Sequence, residues 1–220
     1  MAARSEETRR RILGTALELF RDAGFEKATM REIAAQAGVA TGLAYYYFKS
    51  KEDLVMAFYH QAVDEMAPLL DAAHSSHPKL EPRLRAIIEA KLEYFAPNRA
   101  FLGALLGRAA DPAHPLSPFS AETRAIREND WRHFQRALEE TKTKVPADLA
   151  PVLPKILWLY QMGLILFWIY DRSNAQARTH LLLEKSLGLV VTGIKLSSLP
   201  LMGPVRKLIL ELIEIIEPAS

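Results

Sequence analysis

The chain has 220 residues, about half of them apolar and a quarter charged, and its net charge is +2. That composition is typical of a globular protein with an ordinary core and excludes a strongly polybasic or acidic chain. It contains no cysteine, which excludes disulfides, thiolate zinc ligands and a cysteine nucleophile. The charged segment from Met1 to Arg11 lacks the apolar core of a secretory signal, and we expect a cytoplasmic protein.

Apolar residues recur at three- and four-residue steps along most of the chain, and period-two alternation is almost absent, which predicts an all-α fold. The first helix is expected from about Glu6 to Ala23, and Gly24 is expected to end it. Thr29 is expected to begin a short second helix, because Glu32 three residues later completes the capping-box pattern. That helix is expected to end at Ala37.

A third short helix is expected over about Thr41–Phe48, and Ser50 is the expected N-cap of a fourth, from Lys51 to about Ala72. A linker is predicted at His74–Pro82. Asp111–Pro118 contains three prolines, which excludes regular helix there. The same periodicity predicts the remaining helices, at Arg83–Phe95, Arg99–Ala110, Ser120–Glu140, Leu149–Tyr170, Ala175–Leu199 and Val205–Glu217.

These elements predict two domains: a compact three-helix unit, residues 1–54, and a larger helical body, residues 55–220. Within the first, the helix that ends at Ala37, the turn Gly38–Val39 and the helix from Thr41 have the layout of a helix-turn-helix. Such a layout places its second helix in the major groove of DNA.

A helical wheel divides that second helix into two faces. One face carries Ala44 and Phe48. The other is small, aromatic and basic, and it consists of Gly42, Leu43, Tyr45, Tyr46 and Lys49. A small residue allows close approach to DNA, tyrosine hydroxyls can donate to phosphates, and leucine can contact a thymine methyl group. The alternative is that the tyrosines pack against neighbouring helices, and the pattern alone does not separate the two interpretations.

Residues 24–54, GFEKATMREIAAQAGVATGLAYYYFKSKEDL, resemble the DNA-binding domain of the TetR (tetracycline-repressor) family. Many positions agree in register without a gap, from about Thr8 to Leu54, so the resemblance is specific. It implies a transcriptional regulator, usually a dimeric repressor that a small ligand releases from a palindromic operator.

The resemblance also implies roles for nine residues. Thr29 would cap its helix and touch a phosphate, and Arg31 would reach a base edge or a phosphate. The residues implied to face bases are Thr41, Gly42 and Leu43, and those implied to contact phosphates are Tyr45, Tyr46, Tyr47 and Lys51. The wheel places Tyr47 near the core.

Two residues depart from the family pattern. Ala40 stands where Ser or Thr usually caps the recognition helix, so Thr41 is expected to take over the cap, which would occupy its hydroxyl. Ala44 stands where Leu is common, so the helix is expected to pack slightly deeper.

The predicted DNA-binding domain is barely basic, with nine Lys and Arg against eight Asp and Glu in residues 1–54. Binding must therefore depend on a positioned face. Four arginines lie near the start of this domain: Arg4, Arg9, Arg10 and Arg11. They either contact phosphates or are solvated side chains at the start of a helix, and both interpretations stay open.

The predicted helices Leu149–Tyr170 and Ala175–Leu199 are joined by the polar turn Asp171–Asn174 and should lie antiparallel. The first is apolar nearly all round, which predicts that one face packs within its own chain and another against a second copy, as a two-fold four-helix bundle. The alternative is an oversized core in a monomer. The apolar run Ile156–Tyr170 is shorter than a membrane span, and no membrane partner is expected.

Aromatic and methionine side chains are plentiful in the body and predict a cavity for a small hydrophobic effector. The expected lining residues are Phe95, Phe101, Trp131, Phe134 and Met162. Polar candidates that would orient a ligand are Asn129, His133 and Gln161. The alternative for each of them is a place in the core or in the dimer interface.

No catalytic motif, phosphate loop or dinucleotide fingerprint occurs, so neither enzyme activity nor a cofactor is expected. His74 and His77 are three residues apart, but Ser75, Ser76 and Pro78 predict a loop, and no metal site is expected. Two other functions stay open beside a ligand-responsive repressor: a DNA-binding structural protein that signals to a protein partner, and an all-α lipid-binding protein.

Overall fold

The computed structural model describes the backbone of residues 2–216 and the side chains of residues 4–215. Within this part of the chain all regular structure is helical and no strand occurs, which confirms the all-α prediction. The ten α-helices are α1 (Ala2–Asp22), α2 (Met30–Gln36), α3 (Thr41–Tyr47), α4 (Lys51–Ser76), α5 (Leu80–Phe95), α6 (Arg99–Ala109), α7 (Arg124–Glu140), α8 (Leu153–Tyr170), α9 (Ala177–Ser197) and α10 (Gly203–Ile216).

The largest corrections concern where helices begin and end. α1 begins at Ala2, so Arg4 lies on the helix. α4 continues to Ser76, and the linker predicted from His74 therefore begins too early. The hydroxyls of Ser75 and Ser76 donate hydrogen bonds to carbonyl oxygens of their own helix, and the His74 side chain is fully buried. These interactions favour a helix over a loop in this segment. Glu217, predicted as the end of the last helix, lies outside the described residues.

Other ends move by three or four residues. α5 begins at Leu80, α7 at Arg124 and α8 at Leu153, where the sequence predicts residues 83, 120 and 149. The proline-rich segment Asp111–Pro118 forms consecutive turns, and no regular helix occurs in it, as predicted.

The chain forms two compact units. The N-terminal unit consists of residues 1–67 and 94–127, and the C-terminal unit consists of residues 68–93 and the residues from 128 onward. The N-terminal unit therefore contains the whole helix-turn-helix together with α6. An independent domain that ends at residue 54 stays a prediction.

Phenylalanine side chains join α6 to the helix-turn-helix in the core of the N-terminal unit. Phe101 of α6 stacks on Phe20 of α1 with ring centroids 5.2 Å apart, and Phe25 meets the edge of Phe20 at 5.1 Å. Phe58 of α4 packs edge-on against Phe101 at 6.0 Å. A three-helix unit of about 50 residues is marginal alone, and these contacts provide the additional buried apolar surface it needs.

In the C-terminal unit, α8 and α9 form the predicted antiparallel hairpin, and Asp171 organises the turn between them. One carboxylate oxygen of Asp171 accepts bonds from the backbone and hydroxyl of Ser173, and the other accepts bonds from the backbone and hydroxyl of Thr179. Burial opposes ionisation of Asp171, but these hydrogen bonds outweigh it and hold its pKa well below the usual range.

Among the described helices, α8 is the single helix with the length and hydropathy of a membrane span, and α9 with α10 passes the same test only as a bent pair. Core helices of globular proteins have these properties too. Leu157, Leu164 and Trp168 of α8 are buried within the chain, and Gln161 at its middle is 1% exposed and faces Asp130 of α7. We therefore interpret α8 as a core helix.

Candidate DNA-binding and ligand-binding sites

The predicted capping box at Thr29 is present and fixes the start of α2. The Thr29 hydroxyl accepts a bond from the Glu32 backbone at 3.2 Å, and the Thr29 backbone donates to the Glu32 carboxylate at 2.9 Å. The hydroxyl also donates to that carboxylate at 2.7 Å, and these bonds lower the pKa of Glu32. Thr29 is exposed, but its hydroxyl proton is occupied, so its phosphate contact stays a prediction.

The turn between α2 and α3 depends on a left-handed residue. Gly38 has φ +66°, which an L side chain rarely adopts, and the Val39 backbone then bonds to the Ala34 carbonyl at 2.9 Å. Ala40 is the N-cap of α3 without a side-chain hydrogen bond. The expectation that Thr41 takes over the cap is wrong, because Thr41 is already helical, and within the described residues its hydroxyl has no partner.

The two faces that the wheel predicts for α3 are confirmed by burial. Ala44 and Phe48 are buried, whereas Leu43, Tyr45 and Tyr46 are 40%, 46% and 71% exposed. Thr41 and Gly42 are exposed beside them, and the position of a Cβ atom at residue 42 is open space. α3 therefore presents a small, hydroxyl-bearing surface. We call this set, Thr41, Gly42, Leu43, Tyr45 and Tyr46, the outer face of α3.

Tyr47 and Lys51 are held by the unit itself. Tyr47 is half-buried against the core, as the wheel predicts, and its hydroxyl lies 3.0 Å from the Ser5 hydroxyl of α1. The Lys51 ammonium donates to the carbonyls of Phe25 and Glu26 at 2.6 and 3.3 Å and lies 4.5 Å from the Phe25 ring centroid. Both residues thus position neighbouring segments, and their phosphate contacts stay predictions.

The arginines of α1 differ in their surroundings. Arg9 lies over the Phe48 ring at 5.1 Å, and Arg10 pairs with Glu6 at 3.5 Å. Arg4 and Arg11 instead line a cleft of about 450 Å³ whose other wall is the helix-turn-helix turn and Leu43. Arg31 is exposed on α2. Two of the five α1 arginines therefore line a cleft that also contains Leu43 of the outer face of α3.

The aromatic residues predicted to line a ligand cavity are divided between the two units. Phe95 and Phe101 belong to the N-terminal unit, where Phe101 is part of the core and Phe95 meets the edge of Phe58. Trp131, Phe134 and Met162 belong to the C-terminal unit. Periodicity and residue type alone do not separate core aromatics from cavity aromatics, and the lining role of all five stays a prediction.

A buried polar cluster, which we define as Lys91, Asp130 and Gln161, lies inside the C-terminal unit. The Lys91 ammonium is 2.7 Å from one carboxylate oxygen of Asp130, and Gln161 donates to the other at 3.4 Å. Lys91 and Gln161 are each 1% exposed, and the Lys91 ammonium lies 5.7 Å from the Phe134 ring centroid. Trp131 meets the edge of Trp158 at 6.4 Å in the same unit.

Lys91 and Asp130 were not predicted from the sequence, although a signal was present. Lys91 follows Leu84, Ile87 and Ile88 at steps of seven, four and three residues, which places it on the buried face of α5. A lysine on the apolar face of a helix requires a buried partner. The residue that supplies this partner cannot be read from α5 itself, because Asp130 lies on another helix.

In the C-terminal unit, Oε1 of Gln161 and Nδ1 of His74 are buried and have no hydrogen-bond partner within the described residues. The other His74 ring nitrogen lies 3.3 Å from His133 Nδ1. Burial lowers the pKa of His74 to about 4 and also lowers the pKa of His133, which favours the neutral form of both rings. Buried groups of this kind require a water molecule or a polar ligand atom.

Two family models match the chain. Residues 83–210, more than half of its length, match "Tetracyclin repressor-like, C-terminal domain", and residues 12–58 match "Bacterial regulatory proteins, tetR family". The chain belongs to the TetR family of bacterial regulatory proteins. The resemblance seen in residues 24–54 is thereby confirmed and extends to the C-terminal unit.

Curated TetR-family relatives match part of the chain. It is 36% identical over 95 residues to the HTH-type transcriptional repressor BepR of Brucella suis, covering 43% of this chain and 46% of that protein. It is 35% identical over 89 residues to the HTH-type transcriptional activator FasR of Mycolicibacterium smegmatis, covering 40% and 41%. The chain thus spans less than half the length of these two relatives, of which one is a repressor and the other an activator.

A solved TetR-family structure matches most of the chain. The transcriptional regulator FadR of Bacillus subtilis, in complex with stearoyl-CoA, has a TM-score of 0.64 at 18% identity and covers 84% of this chain and 98% of that chain. Similarity at this identity shows the fold.

Within that fold, the departure from the TetR pattern at position 44 places a small, fully buried residue on the inner face of α3.

Proposed function

We propose that this protein is a cytoplasmic, dimeric transcriptional regulator that binds a palindromic DNA operator through α3 and releases it when a small ligand binds the C-terminal unit. The observation that carries the proposal is the outer face of α3. It exposes hydroxyl and small side chains on a helix whose inner face is buried, so the backbone that carries them is positioned before DNA binds. A preformed surface loses little entropy on binding.

The chemistry of this face suits the major groove. The Tyr45 and Tyr46 hydroxyls would donate to phosphates, and the Thr41 hydroxyl, which caps nothing, would read a base edge. Arg4 and Arg11 would hold a phosphate in the cleft beside Leu43. Few charges contribute, in agreement with the nearly neutral composition.

Exposed apolar residues and glycines of the C-terminal unit support the homodimer. Leu166 of α8 and Leu189 and Leu196 of α9 are 48%, 75% and 46% exposed. Gly163 and Gly193 lie in the same helices with open space at their Cβ positions. A glycine inside a helix costs about 1 kcal/mol relative to alanine and allows a second helix to approach closely. A two-fold bundle of α8 and α9 from two copies would bury this surface.

The buried polar cluster supports a ligand with a polar group on an apolar body. Lys91 would donate to an acceptor on the ligand, and Oε1 of Gln161 would accept from a donor. The aromatic rings of Trp131, Trp158 and Phe134 would contact the apolar part. Such a ligand regulates only if it binds the DNA-free state more tightly than the DNA-bound state.

Selection of genomic DNA fragments on the purified protein tests the DNA-binding proposal. We expect enrichment of one palindrome by the wild type and its loss in the double variant Tyr45→Ala, Tyr46→Ala, which keeps the helical content of the wild type. Enrichment of the same palindrome by the double variant would refute the role of the outer face. Failure of the folded wild type to enrich any sequence would refute the proposal of a specific operator.

A further inference from the structure

α10 presents an apolar stripe to solvent, which we define as Val205, Leu208, Leu212 and Ile215. These side chains are 42%, 60%, 59% and 76% exposed. Their spacing of three, four and three residues places them on one side of the helix along about 15 Å. The same spacing is found at helix–helix seams, where each leucine inserts between side chains of a facing helix.

The opposite side of α10 is anchored to the C-terminal unit. Arg206 donates to the Asp148 carboxylate at 2.8 Å and to the Ser197 carbonyl at 2.9 Å. Ile209 and Ile213 are half-buried on this side. The axes of α9 and α10 meet at 104°, so α10 crosses the direction of α9. α10 is therefore held in place with its apolar stripe outward.

The apolar stripe is symmetric along the helix. Val205 and Ile215 lie five residues on either side of Leu210, and Leu208 and Leu212 lie two residues on either side. If two copies of α10 run antiparallel about this midpoint, Leu208 of each is level with Leu212 of the other, and Val205 is level with Ile215. The surface is thus complementary to itself, which is the requirement for a two-fold interface.

The charges beside the apolar stripe favour the same arrangement. Lys207, Glu211 and Glu214 lie along one flank of the stripe, with the base in the first half of α10 and the acids in the second. An antiparallel copy brings Lys207 within one residue of the level of Glu214 on the other copy. In a parallel two-fold pair this flank of one copy lies on the opposite side of the seam from the same flank of the other copy, so Lys207 would face neither Glu211 nor Glu214. The two acids also disfavour an anionic membrane surface.

We propose that α10 pairs antiparallel with α10 of a second copy of this chain, centred on Leu210. The inference rests on the proposed homodimer and adds to it an interface separate from the α8–α9 surface. The symmetric spacing of the apolar stripe and the opposed charges beside it indicate that its partner is a second copy of α10. The pairing would fix the two C-terminal units to each other at a second point.

Disulfide cross-linking of the full-length protein tests the pairing, because the chain has no cysteine of its own. The double variant Leu208→Cys, Leu212→Cys places two cysteines level across the pair. We expect it to form a covalent dimer under mild oxidation, at least tenfold more than either single variant, since residue 208 is not level with residue 208 in the antiparallel register. Efficient cross-linking of the single Leu208→Cys variant would instead indicate a parallel pair and overturn the proposal.

Light scattering on the same double variant, before oxidation, separates this inference from the homodimer proposal. A monomer would contradict the homodimer itself. A dimer that does not cross-link would leave the homodimer standing and overturn the α10 pairing.

Charge reversal provides a second test in an otherwise unchanged background. We expect Lys207→Glu to lower the cross-linking yield of the double-cysteine protein several-fold, and the further change Glu214→Lys to restore it, because the opposed charges are then exchanged in both copies. Equal yields in all three proteins would contradict the charge-based register.

Discussion

The two units of this protein place their polar side chains in opposite environments. In the N-terminal unit the hydroxyls of Thr41, Tyr45 and Tyr46 are exposed on a helix whose inner face is packed. In the C-terminal unit Lys91 and Gln161 are buried, and each of them contacts one carboxylate oxygen of Asp130. Exposed polar groups contribute little to folding and remain available to DNA, whereas buried ones affect folding directly.

This difference predicts that variants of the outer face of α3 change DNA affinity at constant stability, and that variants of the buried polar cluster change stability first.

Removal of the buried lysine has the largest expected effect. Lys91→Met leaves the Asp130 carboxylate without its cation and should lower the free energy of unfolding by about 3–5 kcal/mol in urea titrations. The double variant Lys91→Met, Asp130→Leu should recover most of this loss. Lys185→Met, at an exposed ion pair with Glu184, should change stability by less than about 0.5 kcal/mol. A loss below about 1 kcal/mol in Lys91→Met would contradict the buried charge pair.

The buried histidine predicts a stability that falls in acid. The pKa of His74 is about 4 in the folded protein and 6.5 in its ordinary state, so the unfolded chain binds the additional proton between these values. Neutral His74 makes its full contribution to the free energy of unfolding above pH 6.5. As the pH falls towards 4 this contribution is lost, and the free energy of unfolding decreases by on the order of 2–3 kcal/mol. Unfolding titrations at pH 7.5 and 4.5 measure it, and His74→Gln should reduce the difference. An equal difference in both proteins would assign it to other groups.

On the outer face of α3, loss of one hydroxyl should weaken operator binding at unchanged stability. Tyr45→Phe removes one phosphate hydrogen bond from each copy, so a dimer should lose about 30- to 100-fold in affinity. Tyr170→Phe is the matched control, because Tyr170 is an exposed tyrosine of the C-terminal unit. Fluorescence anisotropy with the enriched palindrome measures both. Equal affinities would show that the Tyr45 hydroxyl does not contact DNA.

The two arginine environments of α1 predict the smallest difference. Arg11 lines the cleft beside Leu43, whereas Arg10 is paired with Glu6. Arg11→Ala should remove one phosphate contact per copy and lower the slope of log affinity against log salt by about 2 for a dimer. Arg10→Ala should leave that slope unchanged. The reverse ranking would place the DNA on another side of α1.

The recognition helix could be predicted in detail because its features are local. The capping box at Thr29, the Gly38 turn and the alternation of Ala44 with its exposed neighbours each depend on residues within five positions of one another. The prediction for Thr41 was wrong because the N-cap of α3 is Ala40, one residue earlier. A helix start that moves by one residue changes which side chain can cap the helix.

The C-terminal unit could be predicted only as helices. Its all-α architecture and the α8–α9 hairpin follow from periodicity, but the partner of Lys91 lies about forty residues along the chain on another helix. The separation of Phe101 from Trp131 into different units depends on tertiary contacts that no local pattern contains. Residue type therefore predicts which side chains are buried in a core, but it does not predict which of them contact one another.

We propose that two copies of α3 bind the two halves of one palindrome. Hydroxyl-radical footprinting of the enriched fragment, with the mass of the complex measured in parallel, tests this proposal. We predict two copies per fragment and two symmetric protected regions whose centres lie about 34–36 Å apart or a multiple of that distance, both lost in Tyr45→Ala, Tyr46→Ala. A single protected region with one copy bound, or protection that survives in the double variant, would contradict the account.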